Sequence, residues 1–99
     1  MNLPFVVIAD NLKPILSLTM PSISRFKRFD VRELLRGGTE PYPEIRRRVD
    51  ALKPDEGLIL VAHFLPSPLI EKLQGEGFAS KVEKGGGADW IIYFWHEVV

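Results

Sequence analysis

The sequence contains no cysteine. That absence excludes disulfide bonds, thiolate nucleophiles and zinc–thiolate sites, and it fits a protein of the reducing cytoplasm. Neither sign of charge dominates, since Lys and Arg together number 13 and Asp and Glu together also number 13. A chain without net charge has no long-range attraction to nucleic acid or to an anionic membrane, so we expect neither as a partner.

Long apolar runs are also missing, and none approaches the roughly 20 residues that a membrane-spanning helix needs. The short apolar patch near the N-terminus has no basic residue before it and is interrupted by Asp10, which argues against a signal peptide. Hydrophobic residues make up 45% of the 99 residues, an ordinary share. We therefore expect a soluble, cytoplasmic protein with one modest core.

The first 25 residues differ from the rest of the chain in their prolines and brief apolar runs. Pro14 and Pro21 prevent a single long element across this segment. Residues 1–25 are therefore predicted to be an N-terminal extension, which is an edge strand, a flap over the core or partly disordered. Residues 26–99 are predicted to form the folded domain.

Apolar periodicity predicts the element order β-α-β-α-β-β after this extension. Ile45, Val49 and Leu52 recur at helical spacing, whereas residues 58–62 form an unbroken apolar run that is typical of a central strand buried on both faces. The predicted elements are a strand over 28–32, a helix over about 41–52, a strand over 58–62, a helix capped by Ser67 and ending at Gly75 or Gly77, and strands over 78–84 and 90–95.

The connections between these elements set the expected fold class. A strand–helix–strand crossover is almost always right-handed, so both helices are expected on one face of a mixed four-stranded sheet. The prediction is an α/β (α+β) two-layer sandwich.

The run FDVRELLRGGTEPYPEIRRRVDALKPDEGLILV resembles the TusA-like (SirA-like) superfamily. Within it, the chain is most similar to the uncharacterised, domain-of-unknown-function branch that lacks the Cys of the Cys-Pro-x-Pro sulfur-carrier motif. The resemblance covers about residues 26–96. The residues that carry it are Asp30-Val31-Arg32, Glu40-Pro41-Tyr42-Pro43, Phe64-Leu65-Pro66-Ser67-Pro68-Leu69, and the Gly-rich turn before Trp90, Tyr93 and Trp95.

The resemblance implies a TusA-like scaffold without its sulfur chemistry. Sulfur-carrying members hold a persulfide on the Cys of Cys-Pro-x-Pro, and Glu40 stands at that position here. A carboxylate cannot carry sulfane sulfur, so sulfur transfer is excluded. Members of the branch are sometimes joined to hemerythrin-like or cupin-like domains, which implies a redox or nitrogen-oxide stress setting in bacteria or archaea.

The turn that contains Glu40, Pro41, Tyr42 and Pro43 is the first candidate binding site. The simpler interpretation of Glu40 is a helix cap, because a carboxylate near the unpaired N–H groups of a helix start stabilises by about 0.3–1 kcal/mol. The alternative is that this turn presents its side chains to a small ligand or a protein partner. No metal site is predicted, because His63 and His96 lack a metal-ligand spacing. No catalytic residue and no cofactor are predicted either.

The last strand is the second candidate, because bulky residues point to both of its sides. Trp90 and Tyr93 are its predicted binding residues. Two helices cover only one face of a sheet, and monomers rarely leave an aromatic patch bare. Three occupants remain open for the other face: the apolar N-terminal residues 5–8, a second subunit in a homodimer, and another protein partner or flat ligand.

Two functions follow from these candidates. The favoured one is a non-enzymatic binding or accessory module that contacts its partner through the turn and the aromatic strand. The alternative is a small-ligand-binding protein or minor enzyme that uses Glu40, Tyr42 and His63. This alternative requires the three side chains to converge in the fold.

Overall fold

A computed structural model describes residues 20–97 of the chain. The predictions made for residues 1–19 lie outside this part. Its elements, in chain order, are a 3-10 turn at Ile23–Arg25, β1 at Phe26–Asp30, α1 at Arg32–Arg36, α2 at Tyr42–Asp50, β2 at Gly57–Ala62, α3 at Ser67–Gly75, β3 at Phe78–Lys84 and β4 at Trp90–His96.

The four strands form one mixed sheet in the order β1-β2-β4-β3. β1 runs parallel to β2, whereas β4 runs antiparallel to both β2 and β3. Leu60, in the middle of β2, lies opposite Phe29 on one side and Ile92 on the other. The predicted mixed sheet with β2 at its centre is confirmed.

The helices pack on one face of this sheet. Ile45 and Val49 of α2 and Leu73 of α3 are buried against Leu58 and Phe94, both 0% exposed. Burying a side chain of this size stabilises the fold by about 1.5–3 kcal/mol. The predicted two-layer α+β sandwich is confirmed, and among the described residues no helix is long and apolar enough to cross a membrane.

The other face of the sheet carries no helix among residues 20–97. We call it the open face and define it by four side chains that point away from the core, Ile59, Val61, Ile91 and Tyr93. Register places Ile59 opposite Tyr93 and Val61 opposite Ile91, so the four form a compact patch across β2 and β4.

The end of the first strand differs from the prediction. Alternation predicted a strand through Arg32, but β1 ends at Asp30 and α1 begins two residues later. The Asp30 carboxylate accepts the backbone N–H of Arg32 at 3.0 Å, a side-chain turn that competes with the strand ladder. The short α1 is thus an additional helix, and its Leu34 and Leu35 pack against the core.

The two predicted caps have opposite outcomes. Glu40 Oε1 accepts the N–H of Tyr42, the first residue of α2, at 3.0 Å, which confirms its placement at the helix start. The prediction that Ser67 caps α3 is wrong. Ser67 is itself the first helical residue, its N–H is bonded to the Leu65 carbonyl, and no side-chain cap bond forms.

Candidate functional site

The candidate site lies beyond the carboxyl ends of the parallel strands β1 and β2. The loop after β1 and α1 leads into α2, and the loop after β2 leads into α3. Both helices therefore begin at this edge of the sheet. Ligands of open α/β sheets bind preferentially at the carboxyl ends of parallel strands, which makes this edge the first place to look for a site.

A groove of about 420 Å³ runs between the starts of α2 and α3, and we call it the proline groove. Its volume lies within the range of roughly 300–1,000 Å³ that is usual for ligand sites. Phe64 at its rim is 53% exposed, a large apolar side chain left to solvent. The groove is lined by Glu40, Pro41, Tyr42, Ile45, Phe64, Pro66, Pro68, Leu69 and Lys72.

Three prolines stiffen both walls of the groove. Pro41 immediately precedes α2, Pro66 immediately precedes α3, and Pro68 lies in the first turn of α3. Each proline has a fixed φ and no N–H to donate. The walls are consequently preorganised and bare of backbone donors at these positions, so an occupant would be held by packing more than by backbone hydrogen bonds.

Two charged side chains line the otherwise apolar groove. The Glu40 carboxylate is exposed and is held by its bond from the N–H of Tyr42. The Lys72 ammonium pairs with Glu76 at 3.6 Å, and the Lys72 side chain is 55% exposed. Surface pairs of this kind contribute little energy, so both charges remain open to interaction with an occupant.

A polar network lies at the same edge of the sheet. The Arg32 guanidinium donates to both carboxylate oxygens of Asp30, at 2.8 and 2.5 Å, and to Asp89 at 2.6 Å. Asp89 in turn lies 3.5 Å from Nδ1 of His63. The network joins the ends of β1 and β2 to the β3–β4 hairpin.

Electrostatics indicate a structural role for this network. The hydrogen bonds from Arg32 hold the pKa of Asp30 at about 2 despite partial desolvation, and the same bonds raise the pKa of Arg32. A carboxylate with so low a pKa stays ionised at neutral pH and is a poor general acid or base. The Asp30–Arg32 pair therefore acts as a structural clamp and does not transfer protons.

The structure brings only part of the predicted turn site together. Glu40, Pro41 and Tyr42 line the proline groove, whereas Pro43 lines a neighbouring hollow beside Phe29 on the other side of α2. His63 is absent from the groove lining, and its ionic contact is with Asp89. Of the three side chains that the small-ligand or enzyme hypothesis uses, Glu40 and Tyr42 line the groove and His63 does not.

The two aromatic binding candidates on β4 lie on opposite faces of the sheet. Trp90 is partly buried against the helix-side core, with the Lys84 ammonium 4.4 Å from its ring centre. Tyr93 lies on the open face, where its hydroxyl donates to Glu83 at 3.0 Å. Burial and this bond raise the pKa of Tyr93. A single binding surface therefore cannot include both Trp90 and Tyr93.

The two histidines lie at opposite ends of the sheet. His63 follows Ala62, which pairs with Trp90 at the start of β4, and His96 ends that strand. Within residues 20–97, no three His, Asp or Glu side chains form a group that could hold a metal ion.

The second wall of the groove was not predicted from the sequence. Phe64, Leu69 and Lys72 belong to it, and the Phe-x-Pro-x-Pro-Leu pattern that includes the first two is visible in the sequence. That pattern carried the family resemblance but was not connected to the start of α2. The pairing of Arg32 with Asp89 had no local signal, because 57 positions separate them.

Residues 28–96 match the family described as Uncharacterized conserved protein (DUF2249), and the chain belongs to it. No curated protein and no solved structure matches the sequence.

Proposed function

We propose that this DUF2249 protein is a non-enzymatic binding module whose proline groove holds a segment of a partner protein. The observation that carries the proposal is the groove itself, with rigid proline walls and the 53% exposed ring of Phe64 at its rim. Exposed aromatic side chains beside a preformed apolar groove are typical anchors of protein interfaces.

The groove lining indicates the chemistry of the partner segment. An apolar side chain fits between Tyr42 and Phe64, where it would be buried against rings and prolines. A basic residue beside Glu40 and an acidic residue beside Lys72 would match the two charges of the lining. Recognition would rest on side-chain packing, because the prolines remove the backbone donors that strand addition needs.

The same proposal includes a TusA-like scaffold that has lost sulfur transfer. Glu40 stands where sulfur-carrying members have Cys, and its carboxylate accepts the bond from Tyr42 at the start of α2. We place the module in the cytoplasm, in a redox or nitrogen-oxide stress setting, with hemerythrin-like and cupin-like proteins as the first partners to test. The absence of cysteine and the resemblance support these two expectations.

The test is partner capture followed by reconstitution. The full-length protein is isolated at near-native expression, each co-purifying protein is identified, and its Kd is measured by calorimetry with purified components. Phe64→Ala should weaken binding about fivefold or more, since truncating an aromatic anchor costs more than about 1 kcal/mol. Leu65→Ala is the matched control, because Leu65 is also exposed, at 38%, but does not line the groove.

Two outcomes would overturn the proposal. One is that no purified partner binds, and the other is that Phe64→Ala and Leu65→Ala bind the partner equally well. Native mass spectrometry of the purified protein separates the alternative. A small-molecule mass increment that disappears in Phe64→Ala would assign the groove to a small ligand instead.

A further inference from the structure

The open face is a concave apolar surface that lies away from the proline groove. A depression of about 450 Å³ covers it, with Ile59, Val61, Ile91 and Tyr93 at its floor. Its lining also includes Ile23 of the 3-10 turn and Arg32, the first residue of α1. Val61 is already buried, at 4% exposed, whereas Ile59, Ile91 and Tyr93 are only partly buried, so an occupant would remove further apolar surface from water.

The chain itself reaches this face just before β1. Ile23, in the 3-10 turn, lines the depression, although 63% of its surface is still exposed. The described part of the chain begins at Met20, directly after residues 1–19. Met20 is only three positions before Ile23, which already lines the open face. Whatever packs there next to Ile23 would also bury this large apolar side chain.

We propose that residues 1–19 pack on the open face and cover it. The apolar stretch Phe5–Ala9 would supply the main contact with Ile59 and Ile91. This inference concerns the face opposite the helices and is independent of the function proposed for the groove.

The composition of residues 1–19 fits a buried segment and does not fit a solvated linker. Eleven of the nineteen residues are hydrophobic, and only Asp10 and Lys13 are charged. Segments that remain solvated are instead poor in aromatic and β-branched residues and rich in charge.

The length of the segment is sufficient. Nineteen residues span at most roughly 60–70 Å when fully extended. Four strands at about 4.8 Å spacing and seven residues at about 3.3 Å each make a sheet of roughly 15 by 23 Å. The segment can cross this face and turn back.

The charges of the two surfaces are complementary. Arg28 lines the open face and makes no ion pair with a carboxylate of residues 20–97. Asp10 is the only acidic residue in residues 1–19, and it follows the apolar stretch directly. A pairing of Asp10 with Arg28 would place Phe5–Ala9 across the neighbouring strands.

A tethered segment also has an advantage over a second copy of the chain. A short covalent connection gives the segment an effective concentration of about the millimolar range at its site. A second subunit must reach a comparable concentration or bind more tightly to displace it. The structure thus favours cover by the same chain.

Paramagnetic labelling of the full-length chain tests this proposal, because the absence of cysteine makes a single label site clean. Asn11→Cys carries a nitroxide next to the apolar stretch without replacing an apolar residue. Methyl signals of Ile59 and Ile91 on the open face should be strongly broadened. Those of Ile45 and Ile70, on the helix side, should be affected much less.

Two further samples decide between the occupants. The first sample is the nitroxide-labelled double variant Asn11→Cys, Val7→Asp. The broadening of the Ile59 and Ile91 methyl signals should be lost in it, because burying a carboxylate on an apolar surface is costly. In a mixture of nitroxide-labelled chains with separate isotope-labelled chains, no broadening should appear. Broadening in the mixture would overturn the proposal in favour of a second copy, and no broadening in any sample would show that residues 1–19 leave the face free.

Discussion

At the scale of single residues, Asp30 determines how the first strand ends. Its carboxylate accepts the backbone N–H of Arg32 and binds the guanidinium of the same residue, and that guanidinium also reaches Asp89. Asp30 thus ends β1 and starts α1, and Arg32, which Asp30 holds, anchors the β3–β4 hairpin. These contacts also lower the pKa of Asp30, which links the clamp to pH.

The pH dependence of stability should report this clamp. The pKa of Asp30 is about 2 in the folded protein against an ordinary value of 3.8, so its stabilisation is present above pH 3.8 and is lost as the pH falls toward 2. Asp30→Asn should lower the free energy of unfolding at neutral pH by about 1–2 kcal/mol, allowing for solvent screening. Urea denaturation at about pH 6 and about pH 3 should show wild type losing about 1 kcal/mol more than the variant.

The matched control for that measurement is Asp55→Asn. Asp55 also pairs with an arginine, Arg25, at 2.7 Å, but its side chain is 67% exposed. Its variant should follow the wild-type pH profile. Equal losses in wild type and Asp30→Asn would refute the role assigned to the clamp.

Gly57, the first residue of β2, should tolerate no side chain. A Cβ there would meet the Phe26 ring and the Phe94 carbonyl oxygen, the latter at 2.8 Å. Gly57→Ala should therefore lower the free energy of unfolding by about 1–3 kcal/mol through overpacking.

A second glycine supplies the comparison for Gly57→Ala. Gly75 ends α3, and nothing lies within 4 Å of an added Cβ. Gly75→Ala should be neutral or stabilise by up to about 1 kcal/mol, since alanine favours helix. If urea denaturation shows the two variants to be equally stable, the close approach at Gly57 is unimportant.

At the scale of elements, strong periodicity made most of the fold predictable. The unbroken apolar run of β2 and the helical spacing of Ile45 and Val49 were sufficient to place those elements. The short α1 was missed because five residues are too few for a helical period, and the alternation at its start is typical of a strand. The turn at Asp30 that separates them depends on one side-chain bond.

The site was less predictable than the elements, because it depends on which elements meet. The turn from Glu40 to Tyr42 was found from its own residues, but its partner wall follows β2 more than twenty positions later. Trp90 and Tyr93, both predicted as binding residues of the last strand, lie on opposite faces of the sheet. Residues three apart on a strand point to opposite faces, and the register confirms this for both.

At the scale of the whole molecule, two separate surfaces remain to be occupied. The proline groove lies between the starts of α2 and α3, and the open face lies on the other side of the sheet. We assign the groove to a partner protein and the open face to residues 1–19. This division explains why a small domain carries apolar side chains on both sides of β4.

An NMR titration of the isotope-labelled full-length protein with its purified partner tests most directly whether the groove is the binding surface. The shifts of Tyr42, Phe64 and Leu69, which line the groove, should change with the partner concentration. Those of Ile59 and Ile91 on the open face should not change. Changes confined to the open face would contradict the assignment and make that face the partner site.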